Sequence, residues 1–223
     1  MKKNLLIHAF TKYFAGLVMV MLLLFWPAGT IHYWNGWLFI GLLFIPMFIL
    51  GVVLLVKAPA LLEKRLQSKE NESEQKDVVK GAGAMFLVGF VGSALDYRFR
   101  WTSVPNALVI VAAVLLLVSY GLYAEVMREN AYLSRTVEVQ EGQKVIDTGL
   151  YGIVRHPMYA VTVVLFLAIP LVLGSFVGFV VFLLYPILIA KRIKNEEQVL
   201  EEGLAGYKEY KKKVKYRMIP FVW

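Results

Sequence analysis

The chain has 223 residues, of which 59% are apolar, and it carries a formal net charge of +8. Several apolar runs approach twenty residues, the length that crosses a bilayer, so the composition excludes an ordinary soluble domain and indicates an all-α, polytopic transmembrane helical bundle. The absence of cysteine excludes disulfides, Cys-based zinc sites and thiol nucleophiles.

The first two apolar runs predict an antiparallel pair of membrane helices. Residues 10–26 follow Lys2 and Lys3 and have Lys12 near their start. No small-residue cleavage site stands out, so we interpret them as a retained helix rather than a signal peptide. Residues 37–56 follow after a short link. Residues 57–80 then carry charges of both signs, and we predict a solvated loop that includes a short interfacial helix through Leu61, Leu62 and Leu66.

The third apolar run, residues 81–95, is rich in glycine, which predicts close packing against another helix. Asp96 stands near its end, with Arg98 and Arg100 just beyond. A carboxylate inside a membrane is a functional candidate. At a helix end with basic neighbours it is more often paired, and we interpret Asp96 in that way.

The fourth apolar run, residues 104–124, leads into a polar passage and then into an apolar stretch at residues 158–190. At 1.5 Å per residue this stretch is too long for one ordinary crossing, and it would give two arms of about 24 Å each. We therefore predict a short helical hairpin that turns near Gly174, and about five to six membrane crossings in all.

The distribution of basic residues predicts the orientation. With both termini on the cytoplasmic side, all of the 24 Lys and Arg residues except Arg98 and Arg100 lie in cytoplasmic tails and loops. This asymmetry accounts for the net charge without nucleic acid as a partner. The short chain without a sorting signal favours a bacterial inner membrane, where membrane lipids surround it.

One polar passage concentrates ligand-binding side chains at a membrane boundary. Residues 147–159 read DTGLYGIVRHPMY and place Arg155, His156 and two tyrosines directly ahead of the predicted hairpin. An ordinary interfacial loop, in which Pro157 begins the next helix, is the simpler interpretation. The concentration of Arg, His and Tyr favours a ligand site on the cytoplasmic face.

The C-terminal segment is the second place where we expect chemistry. If residues 192–207 are helical, one face of the helix is apolar and includes Glu197. A carboxylate on a packed face requires a partner or a ligand, so Glu197 and Arg192 are functional candidates. The structural alternative is a helix-stabilising pair between Arg192 and Glu196. The basic cluster at residues 211–215 predicts a contact with the membrane surface.

Two motifs occur in a fixed order in this half of the chain. GLYGIVRHPMY precedes the apolar hairpin, and RIKNEEQVLEEGLAGYKEYKKKVKYRMIPF follows it. Together, over roughly residues 128–221, they resemble the isoprenylcysteine carboxyl methyltransferase family of integral membrane enzymes. RHPxY alone is less specific, because phospholipid methyltransferases and membrane sterol reductases carry similar sequences. The family often has glycine two residues after the RHPxY tyrosine, where this chain has Val161, and this departure leaves the acceptor open.

The resemblance implies a cofactor, S-adenosylmethionine, in a pocket that faces the cytoplasm, and it implies no metal. It makes residues 104–223 the methyltransferase core and residues 1–103 a unit of N-terminal transmembrane helices. Arg192 and Glu197 match the family's arginine and glutamate beside the methyl-transfer site. The residues that match its cofactor-binding positions are Gly149, Leu150, Tyr151, Arg155, His156, Tyr159, Tyr207 and Tyr210.

We therefore predict a membrane methyltransferase that acts on an amphiphilic or lipid-like acceptor, such as the carboxylate of a prenylated cysteine. A phospholipid amine is an alternative acceptor. A sterol-type reductase that uses NADPH is the competing enzyme, and a transporter or structural protein is the non-enzymatic alternative.

Overall fold

The structure is a computed structural model that describes residues 2–66, 73–134 and 137–223. Within these ranges the chain forms helices and no strands, which confirms the predicted all-α class. A short 3-10 helix spans Gly149–Gly152. The α-helices are α1 (Lys2–Ala28), α2 (Trp34–Lys57), α3 (Pro59–Leu66), α4 (Ser73–Phe99), α5 (Asn106–Glu129), α6 (Pro157–Val172), α7 (Phe176–Phe182), α8 (Leu184–Gly203) and α9 (Tyr207–Lys213).

Within the described ranges, five segments are long and apolar enough to cross a membrane: most of α1, all of α2, most of α4, all of α5, and α7 together with α8. These segments make the chain an integral membrane protein. Helix α6 is shorter, with 16 residues, and measures about 24 Å at 1.5 Å per residue. It packs against α7 after the chain reverses at Gly174, where φ is +77°. The predicted hairpin is therefore confirmed, with a short first arm, whereas the second arm, formed by α7 and α8, runs for 28 residues and is longer than the predicted 24 Å.

The loop predicted at residues 57–80 is more helical than expected. Helix α3 is present, with Leu61 and Leu62 buried, as the pattern of leucines predicts. Helix α4, however, begins at Ser73, because the Glu, Gln and Lys residues near its start are good helix formers and extend the apolar run. The part of this prediction at residues 67–72 lies outside the described residues.

The predicted helix at residues 192–207 is interrupted. Helix α8 ends at Gly203, and α9 begins at Tyr207. Between them Gly206 has φ +83°, a left-handed conformation that glycine adopts without the steric cost of a side chain. The turn redirects the chain, so that Leu204, Tyr207 and Tyr210 form a small buried cluster beside α8.

Close contact between α4 and α7 joins the hairpin to the N-terminal helices. A Cβ atom on Gly89 would overlap the ring of Phe182, which is fully buried. Only a glycine at this position lets the ring reach the α4 backbone, as expected for small residues between membrane helices. The close packing predicted for this glycine-rich helix is found at Gly89.

A buried carboxylate fixes the hairpin turn. Asp96, only 1% exposed, accepts hydrogen bonds from the Thr102 backbone N–H at 2.7 Å, the Thr102 hydroxyl at 2.5 Å and the Ser175 hydroxyl at 2.5 Å. Asp96 is therefore paired, as predicted. We call these three residues, with the hairpin turn that they hold, the turn end of the bundle.

Two side chains from α2 and its N-terminal flank hold the same turn. Tyr33 donates to the Leu173 carbonyl at 2.5 Å, and Asn35 donates to the Val172 carbonyl at 2.8 Å. Every one of these bonds involves uncharged donors. The turn end is thus closed by ordinary hydrogen bonds, and the charged groups of the molecule concentrate at the opposite end.

Candidate functional site

The RHPxY motif is held by the C-terminal segment through backbone hydrogen bonds. The Arg155 N–H donates to the Tyr216 carbonyl at 2.9 Å, and the His156 N–H donates to the Arg217 carbonyl at 2.8 Å. Helix α6 begins at Pro157, so these two N–H groups precede the helix and are available to another segment. The motif and residues 216–217, far apart in sequence, are thereby fixed side by side.

The Arg155 side chain reinforces this attachment. Its Nε atom donates to Glu197 Oε1 at 2.7 Å, while Nη1 donates to the carbonyls of Val214 at 2.7 Å and Lys215 at 2.8 Å. The guanidinium is buried, and its N–H groups donate to one carboxylate and two backbone carbonyls. Arg155 therefore clamps the C-terminal segment onto α8.

Glu197 is the centre of a buried charge network. It is 2% exposed and receives a second hydrogen bond, on Oε2, from Arg217 Nε at 2.8 Å. His156 Nε2 lies 3.4 Å from Glu197 Oε1, and Lys211 Nζ lies 3.9 Å from Oε2. Two arginines thus compensate one buried carboxylate, which a low-dielectric site requires. The sequence pattern predicted a partner or a ligand for Glu197, and the structure supplies the partner.

A pocket with a cavity volume of about 100 Å³, partly open to solvent, lies beside this network. We call this side of the bundle the pocket end. The enclosed volume is smaller than the roughly 300–1,000 Å³ that is usual for small-molecule sites, so a larger ligand would extend into the open part of the pocket. The predicted site residues that the structure brings together around it are Tyr151, Arg155, His156, Tyr159, Arg192, Tyr207 and Tyr210.

Three predicted site residues lie outside the pocket lining: Gly149, Leu150 and Glu197. The Leu150 N–H donates to the Glu129 carboxylate at 3.0 Å, and a Cβ atom on Gly149 would overlap that carboxylate. This contact anchors the 3-10 helix to the end of α5. Val161, the departure from the family pattern, is buried within α6 and also lies away from the lining.

The floor of the pocket is a chain of three polar side chains. The Tyr159 hydroxyl donates to the Glu196 carboxylate and accepts from Arg192 Nε at 2.9 Å. Glu196 was not among the predicted site residues, because its spacing from Arg192 equally fits a helix-stabilising pair. Consecutive residues on a helix point about 100° apart. Glu197 therefore faces the Arg155 clamp while Glu196 faces the pocket.

Two tyrosines of α9 have different roles in the pocket wall. The Tyr210 hydroxyl donates to the Tyr151 carbonyl at 2.7 Å, whereas the buried Tyr207 hydroxyl has no hydrogen-bond partner among the described residues. Burial raises the pKa of the Tyr207 phenol well above its usual range, so the group remains a protonated donor. A buried hydroxyl without a partner costs free energy, which a bound ligand would recover.

The outer wall is formed by residues 130–134 and 137–146, and α3 holds it in place. Arg65 donates to the Ser134 carbonyl at 3.1 Å and to the Tyr123 hydroxyl, while Lys64 donates to Gln140. Neither of these two basic residues was predicted to have a function. Their contacts span more than fifty residues of sequence, and local pattern carries no signal for such pairs.

Among the described residues, the charges around the pocket nearly balance. Glu138 and Glu196 contribute two carboxylates, and Lys144 and Arg192 contribute two cations, while the charge of Arg155 is met by Glu197 outside the lining. Aromatic rings make up much of the remaining wall. Such a surface suits a ligand that carries charges of both signs better than a strongly anionic ligand.

Comparison with known proteins identifies the segment that builds most of this pocket. Residues 108–202, from α5 to α8, match the model of the isoprenylcysteine carboxyl methyltransferase (ICMT) family. The resemblance to this family that the sequence predicted is confirmed over these residues. The ICMT match includes the RHPxY motif and the floor residues, and it ends before the two tyrosines of α9.

Two curated proteins are similar to part of the chain. The Delta(14)-sterol reductase TM7SF2 of Mus musculus is 31% identical over 91 residues, which is 40% of this chain and 22% of that protein. The uncharacterized protein YpbQ of Bacillus subtilis is 31% identical over 93 residues, which is 41% of this chain and 55% of that protein. The chain thus spans about half or less of the length of these relatives.

Proposed function

We propose that the protein is an S-adenosylmethionine-dependent methyltransferase that acts on an amphiphilic, lipid-like acceptor. The observation that carries the proposal is that the ICMT-matching segment is the one that builds the pocket. The excess of basic residues in the tails and loops supports an orientation with both termini in the cytoplasm, and we propose a bacterial inner membrane as the location.

The pocket fits this cofactor in chemistry. S-adenosylmethionine supplies a methyl group activated by a positively charged sulfur, next to an amino acid and a nucleoside. The Tyr207 hydroxyl, buried and unpartnered among the described residues, offers a donor for a carboxylate or ribose oxygen. The rings of Tyr151 and Tyr159 offer faces to a cation, and the balanced wall charges suit a ligand with charges of both signs.

Arg192 is the residue that we assign to the acceptor. It lies at the pocket floor, oriented by the Tyr159 hydroxyl, and a guanidinium binds a carboxylate through parallel hydrogen bonds. Glu196, held by the same hydroxyl, places a negative charge beside it. Transfer from an activated donor requires alignment and exclusion of water rather than a strong base, which this fixed floor supplies.

Arg155, His156 and Glu197 support the site from behind. The Arg155 donors are engaged with Glu197 and with backbone carbonyls of the C-terminal segment, so its main contribution is to position residues 214–217 and the pocket wall. His156 lines the pocket next to Glu196, at 4.0 Å from its carboxylate. A direct contact of His156 with the cofactor stays a prediction.

A membrane reductase that uses NADPH is the second candidate, because the mouse relative is a sterol reductase. NADPH carries several phosphate charges and is recognised by clusters of basic groups. The described lining of the pocket instead contains two carboxylates, from Glu138 and Glu196, beside its cations. These negative charges would repel a ligand with several negative charges. The charge balance therefore favours the methyl donor.

The two candidates are separated by binding measurements on the purified protein in lipid nanodiscs. Calorimetry should detect S-adenosylmethionine and not NADPH, and labelled donor incubated with extracted membranes should transfer its methyl group to an amphiphile. Arg192→Gln should abolish transfer, while Glu202→Gln, at an exposed position on the same helix, should not. Binding of NADPH alone, or of neither compound, would remove the methyltransferase proposal.

A further inference from the structure

The last residues of the chain present apolar side chains on an ordered turn. Ile219 is 46% exposed, Phe221 is 87% exposed and Val222 is 76% exposed. The backbone N–H groups of Met218 and Ile219 both donate to the Trp223 carbonyl at 3.0 Å, so the turn is closed. We call residues 218–223 the C-terminal tip. Its exposed apolar groups are held in a defined place.

The C-terminal tip is fixed to the membrane bundle. Met218 is buried in the main apolar core, and Trp223 packs against that core. Arg217 lies over the Trp223 ring, with 5.3 Å from Cζ to the ring centroid, and donates to Glu197 at 2.8 Å. The tip therefore lies beside the ends of α6 and α8 at the pocket end and cannot move far from the transmembrane helices.

The chemistry next to the tip selects a lipid surface as its partner. Exposed lysines at positions 212, 213 and 215 precede it, and the Tyr216 ring packs at a tilt against Phe221, with 5.3 Å between ring centroids. Lysines beside exposed aromatic and aliphatic groups are typical of segments that lie in a membrane interface, where the cations meet anionic headgroups and the apolar groups enter the acyl region.

We propose that the C-terminal tip inserts into the leaflet at the pocket end, with Phe221 and Val222 among the acyl chains and the lysines at the headgroups. None of the exposed tip residues lines the pocket. The inference is therefore independent of what the pocket binds, and it assigns a lipid contact to a segment beyond the family match at residues 108–202.

The cysteine-free chain makes a direct test possible, because one introduced thiol is the only site for a spin label. Phe221→Cys and Val222→Cys report on the tip, and Lys208→Cys, at an exposed position of α9, is the matched control. Each labelled protein is placed in nanodiscs of equal parts phosphatidylcholine and phosphatidylglycerol. Collision of the label with oxygen, which enters lipid, is compared with collision with a water-soluble nickel chelate.

The expected result is a several-fold higher oxygen-to-nickel collision ratio at positions 221 and 222 than at position 208. Equal ratios at all three positions would place the tip in water and overturn the proposal. Shielding from both reagents at the tip would indicate a protein partner or a second copy and would also overturn it. Equal melting temperatures of the three labelled proteins confirm that each is folded.

Discussion

The two ends of the bundle each bury one carboxylate, and they satisfy it in different ways. At the turn end, Asp96 is bound by hydroxyl and amide donors from Thr102 and Ser175. At the pocket end, Glu197 is bound by Arg155 and Arg217, and a pocket with an unpartnered Tyr207 hydroxyl among the described residues lies beside it. At the turn end, neutral donors hold the hairpin turn closed. At the pocket end, paired charges join segments that are distant in sequence, and these segments form the pocket wall.

The largest effect is expected from breaking the charge network. Glu197→Ala leaves Arg155 buried without its carboxylate, so we expect a loss of about 3–5 kcal/mol in unfolding free energy. Denaturation of the protein in lipid nanodiscs measures this loss. Glu202→Ala, at an exposed position of α8, is the control. A similar small loss in both variants would show that the network does not hold the C-terminal segment.

Removal of one donor at the turn end is expected to cost less and to leave binding unchanged. Ser175→Ala removes a hydrogen bond to the Asp96 carboxylate and one from the Gly178 N–H, so we expect a loss of about 1.5–3 kcal/mol. Affinity for S-adenosylmethionine should match that of the unaltered protein. Ser103→Ala, at an exposed site, provides the baseline. Weaker binding of S-adenosylmethionine by Ser175→Ala would show that the turn end influences the pocket end, which contradicts this prediction.

The two tyrosines of α9 provide a matched pair within the pocket end. Tyr207→Phe should lower donor affinity about three- to tenfold and should not lower the unfolding free energy, because the hydroxyl that it removes has no partner among the described residues. Tyr210→Phe breaks the bond to the Tyr151 carbonyl and should cost about 0.5–1.5 kcal/mol in stability. Calorimetry and denaturation of both variants give the comparison. The reverse pattern would mean that Tyr207 is structural.

The smallest effect is expected from the exposed pair between Asp147 and Lys213. The hydrogen bond and charge of Lys213 lower the pKa of Asp147 below its ordinary value of 3.8. The pair therefore stabilises the folded state above pH 3.8, and this contribution is lost as the pH falls through the lowered pKa. Asp147→Asn should be slightly less stable than the unaltered protein at neutral pH. This difference in melting temperature should disappear in acid. A difference that grows as the pH falls would contradict the expected direction of the pH dependence.

Most of the fold follows from the lengths of the apolar runs. Runs of about twenty residues predict the crossings, and the excessive length of residues 158–190 predicts the hairpin. The ends of helices are harder to predict. Helix α8 stops at Gly203 because a left-handed turn at Gly206 sends α9 against the pocket, and a tertiary contact of this kind leaves little trace in local sequence.

The residues around the pocket were predicted in part. Seven of the ten proposed residues surround the pocket because the family motifs place them there. Which of Glu196 and Glu197 faces the pocket depends on how α8 is rotated about its axis. The contact between Arg155 and Glu197 fixes that rotation. The anchoring of the outer wall by Arg65 joins residues 69 positions apart in sequence, beyond the reach of any helical or motif spacing.

The pairing of residues 155–156 with residues 216–217 also sets an order of events during synthesis. The ribosome makes the five segments described above as long enough to cross a membrane before it makes Tyr216 and Arg217. Until those two residues emerge, Arg155 has neither its carbonyl acceptors at Val214 and Lys215 nor the second cation that shares Glu197. The five segments can thus be inserted in the bilayer before the pocket forms, because the ligand site requires residues that are made after them.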